Sequence, residues 1–335
     1  MLPQRAIFDS PGLVIETVED ACPFPAPPRS PGSLPAPFLE HWPAQIPARY
    51  RFTLQEARVI GRNGQLADRD GYLLTSHAPE LRPPRLPQLP PPRHLPGRSL
   101  LLASPSAWKN YSHWLLSSLP KLLHTDLSSI DQILCPLDRS FQRDSLNLIL
   151  NALPAGPQHP LPRLIPLTAD SHFRCEELVA YSTLPPSQLH PREIRDLRRL
   201  PLQPGGSSQR LFLSRATSWR RRILNEPELH SLLRHEGFDP MDCGQLDFAS
   251  QASLFASATA LIAPHGASLA NLVWAARAPA VLELFPANFI RPNFCHLAAL
   301  TGAPYRTLVA PNPPREPDFR IPPALLAEAL REWLG

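Results

Sequence analysis

Three polar clusters in the C-terminal half of the sequence carry residue types that could hold a diphosphate. SRATSWRRRILNE (214–226) sets Ser214 and Arg215 at the end of an apolar run and follows them with Arg220, Arg221 and Arg222. PHGASLAN (264–271) supplies His265 and Gly266, then Ala267, Ser268 and Asn271, where a new apolar-periodic stretch begins. Glu283 stands inside the apolar run AVLELFP. A guanidinium fork matches phosphate oxygens, and arginine can neutralise charge growing on a departing nucleotide diphosphate. Glycine lets a backbone approach a phosphate closely. The start of a helix offers free N–H groups and a positive dipole end, and His265 can donate a hydrogen bond. Glu283 is read as an acceptor for ribose hydroxyls; a carboxylate among apolar residues is expected to be functional or ion-paired, because alone it is costly. Of the three consecutive arginines, only one, taken as Arg220, is expected to join Arg215 in pointing inward.

A fourth cluster lies earlier, in NYSHWLLSSLPK (110–121). Leu115, Leu116, Leu119, Leu122 and Leu123 form one apolar helical stripe, which is core packing. His113, Ser117 and Lys121 recur every fourth residue and are expected to share another face. His113 and the second polar group one turn away, at the start of that helix, are a candidate catalytic pair on the acceptor side. Other chemistries find less support. No GxGxxG or Walker sequence is present, which argues against a dinucleotide cofactor or ATP hydrolysis. PHGASLA lacks the second glycine of a nucleophile elbow, so Ser268 is not read as a hydrolase nucleophile. Asp68 and Asp70 form an Asp-x-Asp pair, yet they fall on an expected hairpin turn where solvated aspartates are common. No metal site is assigned.

The elements that must position these residues follow from the apolar pattern. ARVIGRNGQLADRDGYLLTS (57–76) reads as three strands joined at Asn63-Gly64 and Asp70-Gly71. Strands are expected at 99–104, 130–136, 163–167 and 177–184, with helices after Asn110 and over about 139–151. The C-terminal half alternates more regularly, with strands at 210–214, 238–243, 259–263, 280–285 and 305–309. Helices are expected between them at 227–237, 248–258, 268–276 and near 293–301. Alternation with near-continuous apolar strands argues a parallel sheet covered by helices on both faces. The division adopted is a proline-rich β extension (1–98), an N-terminal Rossmann-like domain (99–185), a linker (186–209) and a C-terminal Rossmann-like domain (210–335), the two domains facing across a cleft. Ligands of such sheets bind at the carboxyl ends of strands, where the polar clusters fall.

Composition sets the outer bounds. The 335 residues are 43% hydrophobic and 19% charged, which is globular and excludes bulk disorder. Proline, at 45 residues, is more than twice the usual share, and its clusters mark linkers and edges. The net charge is +4 and only Lys109 and Lys121 are lysines, so the positive charge is nearly all arginine. That suits phosphate-bearing ligands, although compositional bias suffices for most of these arginines. Five cysteines without metal-ligand or redox spacing argue against a disulfide framework or zinc site. The N-terminal residues lack the pattern of a signal peptide and no run of 18 apolar residues occurs, so a cytoplasmic location is expected, with peripheral membrane contact left open. No nucleic-acid partner is expected.

Taken in order, NYSHWLLSSLPK, LFLSRATSWRRRILNE, PHGASLANLVW and VLELFP resemble the motifs of the family-61 glycosyltransferases over about 105–310, most densely through 210–290. The resemblance implies a GT-B-like fold, a nucleotide-sugar donor held by the C-terminal domain, and inverting transfer to a glycan or other hydroxyl acceptor in surface polysaccharide biosynthesis. It implies no required metal or cofactor. Family function would fall on Arg215, His265, Gly266 and Glu283 for the donor and on Asn110 and His113 near the transfer point. One departure stands out: the family keeps an acid one turn after the histidine, where this sequence has Ser117. A serine cannot serve as general base at neutral pH, which leaves His113 unaided, Asp242 or Asp247, or a silent relative that binds without turnover. His113 is the preferred base.

Overall fold

A computed structural model of the chain describes residues 3–30, 34–75, 89–152, 161–200, 202, 209–311 and 318–334. The architecture is mixed α/β and divides into two compact units, residues 1–23 with 45–201 and residues 24–44 with 202–335. In the first unit the strands are β1 (Gln4–Ala6), β2 (Val14–Glu19), β3 (Cys22–Pro23), β4 (Gln45–Ile46), β5 (Arg49–Ile60), β6 (Gln65–Ala67), β7 (Leu73–Thr75), β8 (Arg93–Leu101), β9 (Gln132–Cys135), β10 (Arg163–Pro166) and β11 (His172–Tyr181). One sheet runs in the order β1-β7-β6-β5-β11-β8-β9-β10, with β2 also on β5; β3 and β4 pair with each other. Strands β8 to β11 are mutually parallel, while β5 runs antiparallel to β11 from Ile60 opposite His172 to Arg51 opposite Tyr181.

That pairing redraws the expected boundary at residue 98. The hairpins of 1–98 are the flank of the same sheet as 99–185, and their apolar residues share its core: Phe52, Leu54, Val59 and Leu66 pack with Leu134, Leu178 and Ala180. The turns are where glycine demands them. Gly64 has φ +65°, and a methyl there would stand 2.8 Å from Leu101. Asp68, expected to be solvated, is buried instead. It accepts from Arg5 at 2.5 Å and from the N–H groups of Asp70 and Tyr72, so its charge is used to close the turn.

Among the described residues, helices of eight or more residues are α1 (Ser140–Asn151), α2 (Pro191–Arg198), α3 (Glu226–His235), α4 (Phe248–Ser257), α5 (Asn293–Thr301) and α6 (Pro323–Leu334), with one further 3-10 helix over Ala267–Trp274. Helix α2 falls inside the expected linker 186–209. Its apolar Ile194 and Leu197 are buried, and its Glu193 meets buried Arg49 of β5 at 2.5 Å, so this stretch is a packed element rather than a spacer. Residues 201 and 203–208 of that linker lie outside the described residues.

The second unit is a five-stranded sheet of β12 (Gln209–Leu213), β13 (Phe238–Met241), β14 (Ala258–Pro264), β15 (Ala280–Pro286) and β16 (Tyr305–Ala310), all parallel, in the order β13-β12-β14-β15-β16. The order reverses between β12 and β14, and ligands of open parallel sheets bind at such a switch point beyond the carboxyl ends. Helix α3 shows why these segments form where they do. Pro227 and two glutamates open it, Arg234 and His235 close it, and Gly237 follows at φ +77°. Residues 24–44 complete this unit: Phe38 packs on Phe285, Trp42 and Phe24 on His296, and Tyr305 N donates to Arg29 O.

Candidate active site

The chain leaves β12 at Ser214 and enters a loop fastened on several sides. Ser214 N donates to Met241 O at 2.9 Å, and Ser214 Oγ donates to Glu226 Oε1 at 2.5 Å. Thr217 Oγ1 donates to Asp242 Oδ2 at 2.5 Å, Arg222 makes two bonds to Asp318 Oδ2, and Asn225 exchanges hydrogen bonds with the backbone of Ile321. Ser214, expected to contact a donor, is thus a fastening of the loop.

Within this frame Arg215 and Arg221 turn inward. Arg221 is buried at φ +56°, its Nε donates to His265 O at 2.9 Å, and its guanidinium lies 4.9 Å from the Phe289 ring centroid. Arg215 donates from Nη2 to Arg220 O at 3.2 Å, while its buried Nε has no protein partner. Among the described residues, no carboxylate pairs with Arg215, Arg220 or Arg221. Burial lowers the pKa of Arg215, with Arg220 adding to the effect; burial together with Arg215 and Arg220 brings Arg221 down to about 10. Asp242 and Asp318 act on Arg215, and Glu283 on Arg221, only from beyond ion-pair distance, and burial and mutual repulsion outweigh them, so a bound anion would relieve the cluster. The inward partner of Arg215 is therefore Arg221. Arg220, the residue singled out from sequence, contributes its carbonyl, and its side chain lies over Trp219 at 4.3 Å.

Across the switch point, β14 empties into His265 and Gly266. Gly266 is extended at φ −173°, so its lack of a side chain matters for space: the guanidinium of Arg215 packs where a Cβ would stand. Ala267 then opens the helix expected at 268–276, wound as a 3-10 helix, which runs to Trp274 without a side-chain cap. Its first N–H groups, at Ala267 and Ser268, have no partner within the helix. Asn271 does not join them. It is fully buried, with Nδ2 donating to Gln251 Oε1 and Ser268 O and Oδ1 accepting from Trp274 Nε1.

Glu283, expected to be functional or ion-paired, is fully buried in β15, with Oε1 2.6 Å from His265 Nδ1 and Oε2 accepting from the Tyr305 hydroxyl, so both of its oxygens are engaged within the protein. Burial and the neighbouring Glu283 hold the Tyr305 hydroxyl well above the ordinary range, keeping it a donor. A carboxylate accepting on both oxygens makes Nδ1 of His265 the protonated nitrogen and leaves Nε2 as the ring atom it does not engage. Phe285, Phe289 and Phe294 surround the imidazole at centroid distances of 5.2 to 5.5 Å. Tyr305 and Arg221 were missed in the sequence. A tyrosine opening the last strand and one arginine among three carry no periodic signal, and a left-handed backbone cannot be read from residue type.

In the first unit Asn110 caps the helix that opens at Tyr111, its Oδ1 accepting from Ser112 N and Oγ at 3.0 Å. The cap is what the structure shows of this residue, for which a catalytic role is expected. His113 is half-buried at the end of this short helix, and the chain widens into a π-helix over Trp114–Ser118. Pro120 provides a cause: it lacks an N–H, and its ring crowds the carbonyl of Leu116. The wide turn breaks the expected face. Ser117 is buried and donates to Leu184 O at 3.3 Å. Lys121 is buried too, donating to Ala103 O at 2.6 Å and Thr183 Oγ1 at 3.0 Å, and burial, with Arg49 nearby, brings its amine down to about 7. The alternative bases are occupied as caps: Asp247 accepts from Ser250 N, which lowers its pKa, and Asp242 from Gly244 N. Among the described residues no group of three or more His, Cys, Asp or Glu could hold a metal ion, and no helix is long and apolar enough to cross a membrane.

At the switch point of this parallel sheet stand arginines without a salt-bridge partner among the described residues and a helix start without a side-chain cap. The family model of glycosyltransferase 61 matches residues 111–282, just over half of the 335 residues, and the chain belongs to that family. No curated protein sequence matches the chain significantly. The matched span contains His113, the arginine loop and the His265-Gly266 turn; Glu283 lies one residue past it.

Proposed function

We propose that the second unit binds the diphosphate of a nucleotide-sugar donor and that the protein transfers the sugar, with inversion, to a hydroxyl of a glycan or other acceptor. The observation that carries this reading is the pair of inward arginines, Arg215 and Arg221, without carboxylate partners among the described residues, set beside the Gly266 turn and the open N–H groups of Ala267 and Ser268. As the bond from the anomeric carbon to the phosphate oxygen breaks, the electron pair leaves with the diphosphate, and these cations neutralise it without a required metal. His265, oriented by Glu283, donates from Nε2 to the same anion when protonated there. The acceptor oxygen attacks the anomeric carbon, and its proton passes to His113 as base. A GT-B-like fold, a cytoplasmic site of action at or near a membrane, and a part in surface polysaccharide synthesis belong to the same proposal.

Purified protein titrated calorimetrically with UDP-, GDP- and CMP-sugars and the free nucleotides is expected to bind at least one donor class, with affinity lost in Arg215→Ala and Arg221→Ala. No binding to any of them refutes the reading. A second reading, a silent relative that binds donor without turnover, is favoured by one observation: the position of the family's acid holds a buried serine bonded to a carbonyl. Donor binding with no transfer, unchanged in His113→Ala, supports that reading; turnover that collapses in His113→Ala removes it.

A further inference from the structure

Trp219 is 79% exposed, the most exposed large hydrophobic side chain among the described residues, and it lies inside the arginine loop. An isolated surface aromatic needs no explanation, but this one is held in place. Ser218 N donates to Arg215 O at 2.9 Å, closing a turn, and the loop is fastened before and after by the Thr217–Asp242 and Arg222–Asp318 bonds. The Arg220 guanidinium lies 4.3 Å from the centre of the Trp219 ring, covering the indole with a planar cation. The Arg220 carbonyl is also the acceptor of Arg215 Nη2, which sets Trp219 one residue, about 3.8 Å of Cα path, from the proposed diphosphate cradle.

We propose that Trp219 is the stacking platform for the nucleobase of the donor, an inference that rests on the diphosphate reading above. A planar ligand uses the indole face most fully, and an anionic one gains the charge-assisted bonds of the cations around it. A nucleobase is both planar and tied through one ribose to a diphosphate. A neutral acceptor sugar gains only the weaker neutral hydrogen bonds from Arg215, Arg220 and Arg221. Stacking tolerates any base, because every base has a π-face, so Trp219 supplies affinity for nucleotides as a class.

The test compares inorganic pyrophosphate with uridine, guanosine and cytidine diphosphates by calorimetry on the full chain, in wild type, Trp219→Ala and Trp219→Phe. In wild type at least one nucleotide is expected to bind more tightly than pyrophosphate. Trp219→Ala should weaken that nucleotide about 5- to 150-fold, the range for one stacked base, while leaving pyrophosphate unchanged. Trp219→Phe should retain most of the preference. A nucleotide preference that survives in Trp219→Ala overturns the platform and leaves the cradle intact. Equal losses of nucleotide and pyrophosphate in Trp219→Ala also overturn it, making the indole a brace of the loop. Failure of wild type to bind either ligand class refutes the diphosphate reading, and the platform with it.

Discussion

Gly266→Ala isolates the cradle with one methyl group. The backbone at φ −173° is extended and open to alanine, so no conformational penalty arises. The space is what fails. A Cβ would stand 3.0 Å from Arg215 Cζ and closer still to Nη1, against the 3.4 Å of ordinary contact, so the guanidinium must retreat by at least about 0.4 Å. The Arg215 bond to Arg220 O, at 3.2 Å, is then stretched past hydrogen-bond range. Arg215 leaves its position over the turn, and the fold is untouched. Losing one charge-assisted bond to a bound diphosphate costs about 1.5–3 kcal/mol, or roughly a 10- to 150-fold rise in Kd. Calorimetry with pyrophosphate measures that loss, and denaturant unfolding should show a stability change below about 1 kcal/mol. The decisive arm is a double-mutant cycle with Arg215→Ala. Because the alanine methyl acts through Arg215, the double variant should bind no worse than Arg215→Ala alone. Unchanged affinity in Gly266→Ala, or fully additive losses, refutes the reasoning.

Three further outcomes are expected. Glu283→Gln faces two donors, Nδ1–H of His265 and the Tyr305 hydroxyl, with only one acceptor oxygen; unfolding by urea should show about 1–3 kcal/mol of lost stability, and unchanged stability would exclude the three-residue chain described here. Restoring the family's acid by Ser117→Asp sets a carboxylate against the Leu184 carbonyl in a buried position, so Tm should fall by the equivalent of about 2 kcal/mol or more without a gain in turnover; a stable, faster enzyme would refute this. Burial acts to raise the Glu193 pKa, but Arg49, then His124, outweigh it and hold the carboxyl down at about 2. The sign follows from a depressed folded-state value: the stabilisation is complete above about pH 4.5 and is lost as pH falls toward 2. Unfolding free energy should drop across that window in wild type and drop less in Glu193→Gln.

Periodicity made most strands and helices legible, because a parallel sheet buried on both faces writes its strands as apolar runs. The polar residues ending those runs, Arg215 and His265-Gly266, were legible for the same reason. Glu283 was legible as functional or ion-paired, and the structure gives it protein partners on both oxygens. In a strand buried on both faces nothing in the sequence says whether a carboxylate points toward ligand or toward a neighbouring histidine. Asn271 looked like part of the helix start, yet the 3-10 winding turns it into the core against Gln251 and Trp274. The spacing of His113, Ser117 and Lys121 assumed 3.6 residues per turn, and the π-helix before Pro120 removes that premise. Most distant of all from local pattern was the pairing of β5 with β11, more than a hundred residues apart, which merged the N-terminal hairpins with the sheet beyond them.

The packing of residues 24–44 on the second unit has a consequence for biosynthesis. Phe38 must wait for Phe285, and Trp42 for His296, about 250 residues later in the chain. At about 5–20 residues per second this is a delay of roughly 12 to 50 seconds on the ribosome. During that time an apolar strap hangs from a first unit that is otherwise able to close its own sheet. Truncated chains that stop before β15 would carry the strap permanently exposed, and the second unit begun at residue 202 would lack the aromatic side chains that cover Phe285 and His296. The two halves are therefore not separable by cutting between them, and a soluble donor-binding fragment would need the strap grafted back onto it.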